Sequence, residues 1–192
     1  MIALIGNRPA IQVGNHQVHD YDTAWLGHAL RRAAEAADRR DFPFLEEIRQ
    51  GIEEYLESRC SLSLLPLPTL FDRMRKMLVK IGCDLIAEQL EPVAPPVTLS
   101  LTHAARSAGN GFELAFFERL RGELAELRLA GAEEIRFTGL RESVLILHGS
   151  EIWDSRCEQL LEELRSFICS HHRDFDTPAR PLRLKLEGER FE

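Results

Sequence analysis

A proline-rich segment, residues 91–96, restricts the fold of this chain more than any other stretch. Its three prolines hold φ near one value and remove backbone donors, so neither a helix nor a central strand can continue through the segment. The pattern before it is typical of packed helices, whereas the pattern after it indicates strands mixed with helices. We therefore expect an α+β protein with two domains, residues 1–91 and 97–192, joined by a stiff linker over residues 92–96.

Composition excludes several classes of protein. The 192 residues are enough for two small domains, and 44% hydrophobic with 29% charged residues is typical of a soluble globular chain. A net charge of -7 argues against a general affinity for nucleic acid or anionic membranes. The start of the chain lacks a secretory signal pattern, and the longest apolar run, residues 62–70, is interrupted by Pro66 and Pro68. We expect a cytoplasmic protein that binds neither nucleic acid nor membrane.

The N-terminal half predicts a hairpin followed by four helices. Gly14 and Asn15 supply the positive φ angles of a tight turn between two short strands within residues 11–21. Asp22 or Thr23 can cap the first helix, which has apolar residues three and four apart. The same periodicity predicts the later helices, which are expected at residues 45–56, at residues 70–81 after a cap at Thr69, and at residues 84–90.

Several residues of this half resemble the ATP-cone, a regulatory nucleotide-binding module found in front of ribonucleotide reductases and in their transcriptional repressor. The family's aromatic-Asp pair and the start of its first helix are similar to residues 18–22, Leu26 and residues 29–33. The spacing of its last two helices is similar to that of Leu78, Gly82 and Ala87. The resemblance implies a hairpin with four helices and a nucleotide site beside the first strand.

The chain departs from the family where the phosphates would bind. Nucleotide-binding cones carry Val-x-Lys-Arg at the first strand, and the places of the two cations are held here by Val13 and Gly14. In a lengthened hairpin, residues 5–8 take the place of the motif and only Arg8 keeps a charge. Each lost charge-assisted bond weakens binding by about 1.5–3 kcal/mol. We expect a degenerate cone without a cofactor or with weak nucleotide binding, and the missing reductase domain and Cys-x-x-Cys ribbon exclude the host proteins.

The C-terminal half predicts a ferredoxin-like βαββαβ sandwich by its order of elements. Residues 97–102 alternate as in a half-buried strand, and residues 134–138 with 143–148 are expected to form a hairpin. Helices are expected after Asn110, which forms a capping box with Glu113, and over residues 153–168, and the last strand is expected at residues 182–186. One antiparallel sheet would carry both helices on one face. Its open face, with Leu145 or Ile146 exposed, would then carry a homodimer contact.

Two places could bind a small anion. Arg8 is the remaining cation of the cone-like site. Asn110 and Gly111 are expected at the start of a helix, where backbone N–H groups and the helix dipole attract negative charge, assisted by Arg106 or Ser107. A Gly-Asn-Gly turn is more often only a cap.

Neither catalysis nor metal binding has a recognisable motif. His103 and His148 would meet if their strands were neighbours, and they are the only catalytic candidates, with no nucleophile nearby. Cys157 and His171 lie roughly 20 Å apart along one helix, too far to share a metal ion. The four cysteines are expected to be buried apolar residues, without disulfides or metal.

These patterns favour a non-catalytic regulatory or protein-interaction protein, a homodimer with a degenerate ATP-cone-like domain. The alternative is a small-molecule sensor that binds a nucleotide or metabolite at Arg8 or at residues 109–111. An enzyme that uses His103 and His148 is the third hypothesis.

Overall fold

The computed structural model describes residues 8–175 and 182–186, with side chains through residue 171 and from residue 182. Its contacts divide the chain into two compact units, Met1–Pro95 and Pro96–Glu192, and their boundary lies in the proline-rich segment. We call these the N-terminal and C-terminal units. Residues 5–7 of the lengthened cone motif lie outside the described residues. None of the described helices combines the length and the apolarity needed to cross a membrane.

The hairpin predicted at the start of the N-terminal unit is confirmed. Strands β1 (Ala10–Val13) and β2 (His16–Val18) pair antiparallel around Gly14, whose φ is 56°. A third strand, β3 (Leu64–Pro66), was not predicted, and it pairs parallel to β1 on the side away from β2. The hairpin therefore supplies the edge strand β2 and the central strand β1 of a small three-stranded sheet.

Four helices follow the hairpin, as the periodicity predicts: α1 (Ala24–Ala36), α2 (Leu45–Glu54), α3 (Leu67–Lys80) and α4 (Asp84–Gln89). Of the two caps expected at the start of α1, Thr23 takes the N-cap position without a side-chain hydrogen bond, while the Asp22 carboxylate accepts the N–H of Ala24 at 2.8 Å. Helix α2 continues as one π-helical turn, Tyr55–Arg59. The cap expected at Thr69 is wrong, because α3 already begins at Leu67. Pro68 fits within its first turn, where no N–H is needed.

The C-terminal unit contains a parallel sheet. Its strands β4 (Val97–Ser100), β5 (Glu134–Thr138) and β6 (Arg183–Leu186) lie in the order β4-β5-β6, and both pairings are parallel. The connections are helical: α5 (Leu101–Ala108) and α6 (Glu113–Leu129), then α7 (Leu140–His148) and α8 (Ser155–Phe175). Parallel neighbours require such crossovers, because a tight hairpin can join only antiparallel strands.

This arrangement corrects the predicted βαββαβ order. Residues 143–148, expected as a central strand, lie in α7, so the hairpin with β5 does not form. The strand expected over residues 97–102 ends at Ser100, whose Oγ accepts the N–H of His103 at 3.3 Å and caps α5. The antiparallel ferredoxin-like sheet is not the sheet that the described strands form. The open sheet face proposed for a homodimer contact therefore lacks Leu145 and Ile146.

The glycines on either side of α7 help to explain why the apolar residues 144–147 are helical. Gly139 and Gly149 both adopt left-handed backbone angles, with φ of 72° and 70°, and they flank the helix at its two ends. Within α7, Val144 and Leu147 are fully buried, whereas Leu145 and Ile146 are partly exposed. Burial at positions three apart is the periodicity of a helix face and not of a strand.

Substitution of Gly149 by Ala should lower the free energy of unfolding by about 1–2 kcal/mol, because a side chain disfavours the left-handed conformation. Its Cβ would also come within 2.0 Å of Asn110 Nδ2, which forces that side chain to rotate. Gly122→Ala in α6 is the control with the opposite sign. It has open space around its Cβ and should stabilise the protein by about 0.5–1 kcal/mol. Urea denaturation measures both, and equal stability of the two variants would contradict the assignment of Gly149 as a helix end.

Candidate functional site

A cavity of about 790 Å³ lies in the N-terminal unit beside the start of α1 and the face of α2. We call it the α1–α2 pocket. Its lining is strongly charged, with the arginines Arg8, Arg31 and Arg49 and the carboxylates Asp20, Asp22, Glu46 and Glu53. The two signs nearly balance, so the pocket has no large excess of either charge.

Arg8, the predicted cation of the cone-like site, lies in this pocket and is held by α2 and the turn that follows it. Its Nη2 contacts Glu53 Oε1 at 2.7 Å and also Glu57, while its Nε donates to Glu57 Oε1 at 3.0 Å. Its Nη1 donates to the carbonyl of Tyr21 at 3.3 Å. Hydrogen bonding to Glu57, with a further contribution from Glu53, raises the pKa of Arg8 above its ordinary value although partial burial opposes this. The positive charge of the guanidinium is therefore already balanced by carboxylates of the protein itself.

Glu53 connects two arginines of the pocket. Its Oε1 accepts from Arg8, and its Oε2 accepts from Arg49 Nη1 at 3.0 Å. Burial alone would raise the pKa of Glu53, but the hydrogen bonds from Arg8 and Arg49 outweigh burial and lower that pKa below its usual range. Arg49 also pairs with Glu46 at 2.6 Å and donates to the hydroxyl of Thr23. This network ties α2 to the segments before β1 and α1.

Tyr21 lines the same pocket. Its hydroxyl donates to the carbonyl of Pro9 at 2.7 Å, and the residue is only 8% exposed. Burial raises the pKa of Tyr21 to about 12, against a smaller opposing effect of the Arg8 charge. Tyr21 therefore stays neutral at physiological pH and acts as a fixed hydrogen-bond donor to the chain at the start of β1.

Arg31 differs from the other two arginines of the pocket. It is exposed on α1 and has no hydrogen bond or salt bridge with any residue that the structure describes. Its charge acts on the Glu46 carboxylate through space, without a direct contact that a ligand would have to displace.

The second predicted binding place, residues 109–111, forms a turn between α5 and α6 whose residues are exposed or half-exposed. Helix α6 begins at Glu113 after Phe112, so the expected capping box of Asn110 is wrong. The N–H of Gly111 donates to the carbonyl of Leu147 at 3.0 Å, and the Asn110 side chain lies against Gly149. These residues join the end of α5 to the end of α7, and the N–H of Gly111 already has a carbonyl acceptor. Arg106 and Ser107, expected to assist an anion there, lie exposed on α5.

The histidine pair proposed for catalysis does not meet. Thr102 lies against Gly139 at the start of α5 and α7, and Asn110 lies against Gly149 at their far ends. His103 is near the first of these contacts and His148 near the second, which separates them by roughly 10 Å along the helices. His148 Nε2 instead contacts Asp154 Oδ2 at 3.1 Å.

Cys157 and His171 both lie in α8, fourteen residues apart, so they are separated along the helix as expected. His171 stacks on Phe167, with ring centroids 4.2 Å apart, and its Nδ1 lies 3.0 Å from the carbonyl of that residue. The side chain of His172, next in the sequence, lies outside the described residues.

Sequence reasoning missed most of the α1–α2 pocket. Glu46, Glu53 and Glu57 are spaced seven and four residues apart, the spacing of one helix face, and that pattern could have identified an acidic face on α2. Sequence reasoning also missed the grouping of His148, Asp154 and Cys157. These residues cluster only when residues 143–148 form a helix that ends beside the start of α8.

Neither models of protein families nor curated proteins nor solved structures give a significant match to this chain.

Proposed function

We propose that this chain is a non-catalytic regulatory or protein-interaction protein whose N-terminal unit is a degenerate nucleotide-binding module. One observation carries the proposal: Arg8, the remaining cation of the cone-like phosphate site, is bound by Glu53 and Glu57 of its own unit. The same two carboxylates accept hydrogen bonds from Nε and Nη2, two of the three nitrogens that a phosphate oxygen could otherwise bind.

The energy balance supports a loss of nucleotide binding. A phosphate that bound Arg8 would have to displace hydrogen bonds that are themselves charge-assisted, each worth about 1.5–3 kcal/mol. The exchange would gain little, and the displaced carboxylates would remain close to the phosphate and repel it. A network of this kind serves to hold the hairpin, α1 and α2 together as a scaffold.

The alternative is a small-molecule sensor that binds in the α1–α2 pocket. The exposed Arg31, which makes no hydrogen bond with a described residue, and the carboxylates of Asp20 and Asp22 on the same pocket favour it. A ligand with both an acidic and a basic group, such as an amino acid, would suit this lining better than a nucleoside triphosphate, because the pocket offers both signs of charge.

Removing the two carboxylates should restore binding of a nucleotide. We expect no thermal shift of the wild-type protein with ATP, dATP or other nucleotides with magnesium, and a shift of a few degrees for Glu53→Gln with Glu57→Gln. A ligand at 100 times its dissociation constant adds about 2.7 kcal/mol of stability, which a thermal-shift assay detects readily. The matched control is Glu47→Gln with Glu54→Gln, which removes the same charge from α2 outside the contacts with Arg8.

Other results of the thermal-shift experiment would contradict this proposal. A shift of the wild-type protein with adenine nucleotides that disappears in Arg8→Ala would make the chain a working nucleotide sensor. A shift with amino acids that disappears in Arg31→Ala would favour the alternative. If the doubly substituted protein stays folded by circular dichroism and gains no binding, the carboxylates are not what prevents nucleotide binding.

A further inference from the structure

Three side chains with metal-binding chemistry lie together where α7 meets α8 in the C-terminal unit. His148 is the last residue of α7, Asp154 directly precedes α8, and Cys157 lies in the first turn of α8. Gly149 ends α7 in a left-handed conformation and turns the chain back, which brings residues 154–157 beside His148. A ring nitrogen, a carboxylate oxygen and the sulfur all lie within 4.8 Å of one another.

The carboxylate of Asp154 is held in a fixed orientation. Its Oδ1 accepts the N–H groups of Arg156 at 3.0 Å and Cys157 at 2.9 Å, as a helix-capping carboxylate does. Its Oδ2 is left directed at His148 Nε2, 3.1 Å away. Metal-ligating carboxylates are commonly oriented by hydrogen bonds to their other oxygen, and a capping role and a ligand role are compatible here.

The three side chains of the cluster differ in their exposure to solvent. Cys157 is fully buried, the His148 side chain is 19% exposed and the Asp154 side chain is 47% exposed. An ion could enter from solvent past the carboxylate and meet the sulfur on the interior side. The thiol of Cys157 also hydrogen-bonds to the Asp154 carboxylate, so the sulfur, the carboxylate and the imidazole of His148 all converge on one place.

The distances suit a small tetrahedral ion. Bonds of about 2.0–2.3 Å to nitrogen, oxygen and sulfur place neighbouring ligand atoms of a tetrahedral zinc site roughly 3.3–3.6 Å apart. His148 Nε2 and Asp154 Oδ2 are 3.1 Å apart, and no ligand atom of the cluster is more than 4.8 Å from another. The sulfur would therefore have to move by at most about 1 Å to reach tetrahedral spacing.

We propose that His148, Asp154 and Cys157 bind one divalent transition-metal ion of the zinc class and that the ion fastens the α7–α8 turn. A thiolate with an imidazole selects zinc over magnesium or calcium, which prefer oxygen ligands. Binding displaces the thiol proton of Cys157 to solvent and leaves a fourth coordination position for water. The inference concerns the C-terminal unit and does not depend on the proposed function of the N-terminal unit.

Cobalt(II) tests the site directly, because a cobalt–thiolate bond gives a charge-transfer band that an oxygen or nitrogen site lacks. The full chain with Cys60, Cys83 and Cys169 replaced by serine keeps Cys157 as its only thiol. We expect it to bind one Co²⁺ per chain with the charge-transfer band and with tetrahedral visible bands, and we expect Zn²⁺ to displace the cobalt. Absence of the band with Co²⁺ in excess would overturn the proposal.

Three further variants identify the ligands. Asp154→Asn keeps a good capping residue but loses the charge, and His148→Ala removes the imidazole. Each should weaken Zn²⁺ binding at least about 10- to 100-fold in a competition titration with a chromophoric chelator. Cys157→Ser in the same background should abolish the charge-transfer band. The control is His103→Ala, which removes an exposed histidine of the same unit. Unchanged affinity in folded Asp154→Asn and His148→Ala would show adventitious binding by the thiol and overturn the site.

Discussion

Replacement of Phe137 by Ala should lower the free energy of unfolding of the C-terminal unit by about 3–5 kcal/mol. Phe137 is fully buried on β5, the central strand of the parallel sheet, and is among the largest buried side chains of the unit. Truncation removes the apolar contacts of the ring and leaves a cavity that the strand cannot close, because β4 and β6 fix it on both sides. A loss of this size is a large part of the stability of a small domain, which is about 5–15 kcal/mol.

Each unit has its own tryptophan as a reporter for this measurement, Trp25 in the N-terminal unit and Trp153 in the C-terminal unit. Urea denaturation of Phe137→Ala in a Trp25→Phe background therefore follows the C-terminal unit alone. Phe112→Ala is the matched control, since Phe112 is 63% exposed and its loss should change stability by less than about 0.5 kcal/mol. Similar midpoints for the two variants would contradict the placement of β5 at the centre of the sheet.

The hairpin and the four helices of the N-terminal unit could be predicted because each is marked by residues close together in the sequence. Gly14 marks the hairpin, Asp22 caps α1, and the stripe of α3 repeats every three to four residues. Strand β3 was missed for a physical reason. It is three residues long and includes Pro66, and its partner β1 lies more than fifty residues earlier, so only the tertiary pairing creates it.

In the C-terminal unit, one segment decided the fold prediction. The run Val144, Leu145, Ile146 and Leu147 is apolar throughout, and such a run fits a buried strand and a helix equally well. The continuous apolar run was interpreted as a central strand. The competing signal was a glycine on each side, Gly139 and Gly149, which are typical helix-end residues. Reading that run as a helix turns the expected antiparallel hairpin into a parallel crossover and changes the whole sheet.

The candidate site shows the same limit. The sequence singles out Arg8 as a cation but cannot show that Glu53 and Glu57, more than forty residues later, bind it. Nor does it show that Asp154 and Cys157 approach His148, since that proximity depends on how α7 ends. Residue types indicate what chemistry a side chain can supply, whereas its partner depends on folding.

The helical assignment of residues 144–147 leads to a second expected result, that Leu147→Ala costs about 2–5 kcal/mol while Leu145→Ala costs less than half as much. Leu147 is fully buried and shares the inward face of α7 with Val144, three residues earlier, whereas Leu145 is partly exposed. The substitutions are chemically identical and lie in the same helix, so helix propensity cancels between them and only burial differs. In a strand the two leucines, two positions apart, would share one face and lose similar amounts. Urea denaturation followed by Trp153 fluorescence in the Trp25→Phe background measures both, and equal losses would favour the strand and remove the turn on which the proposed metal site depends.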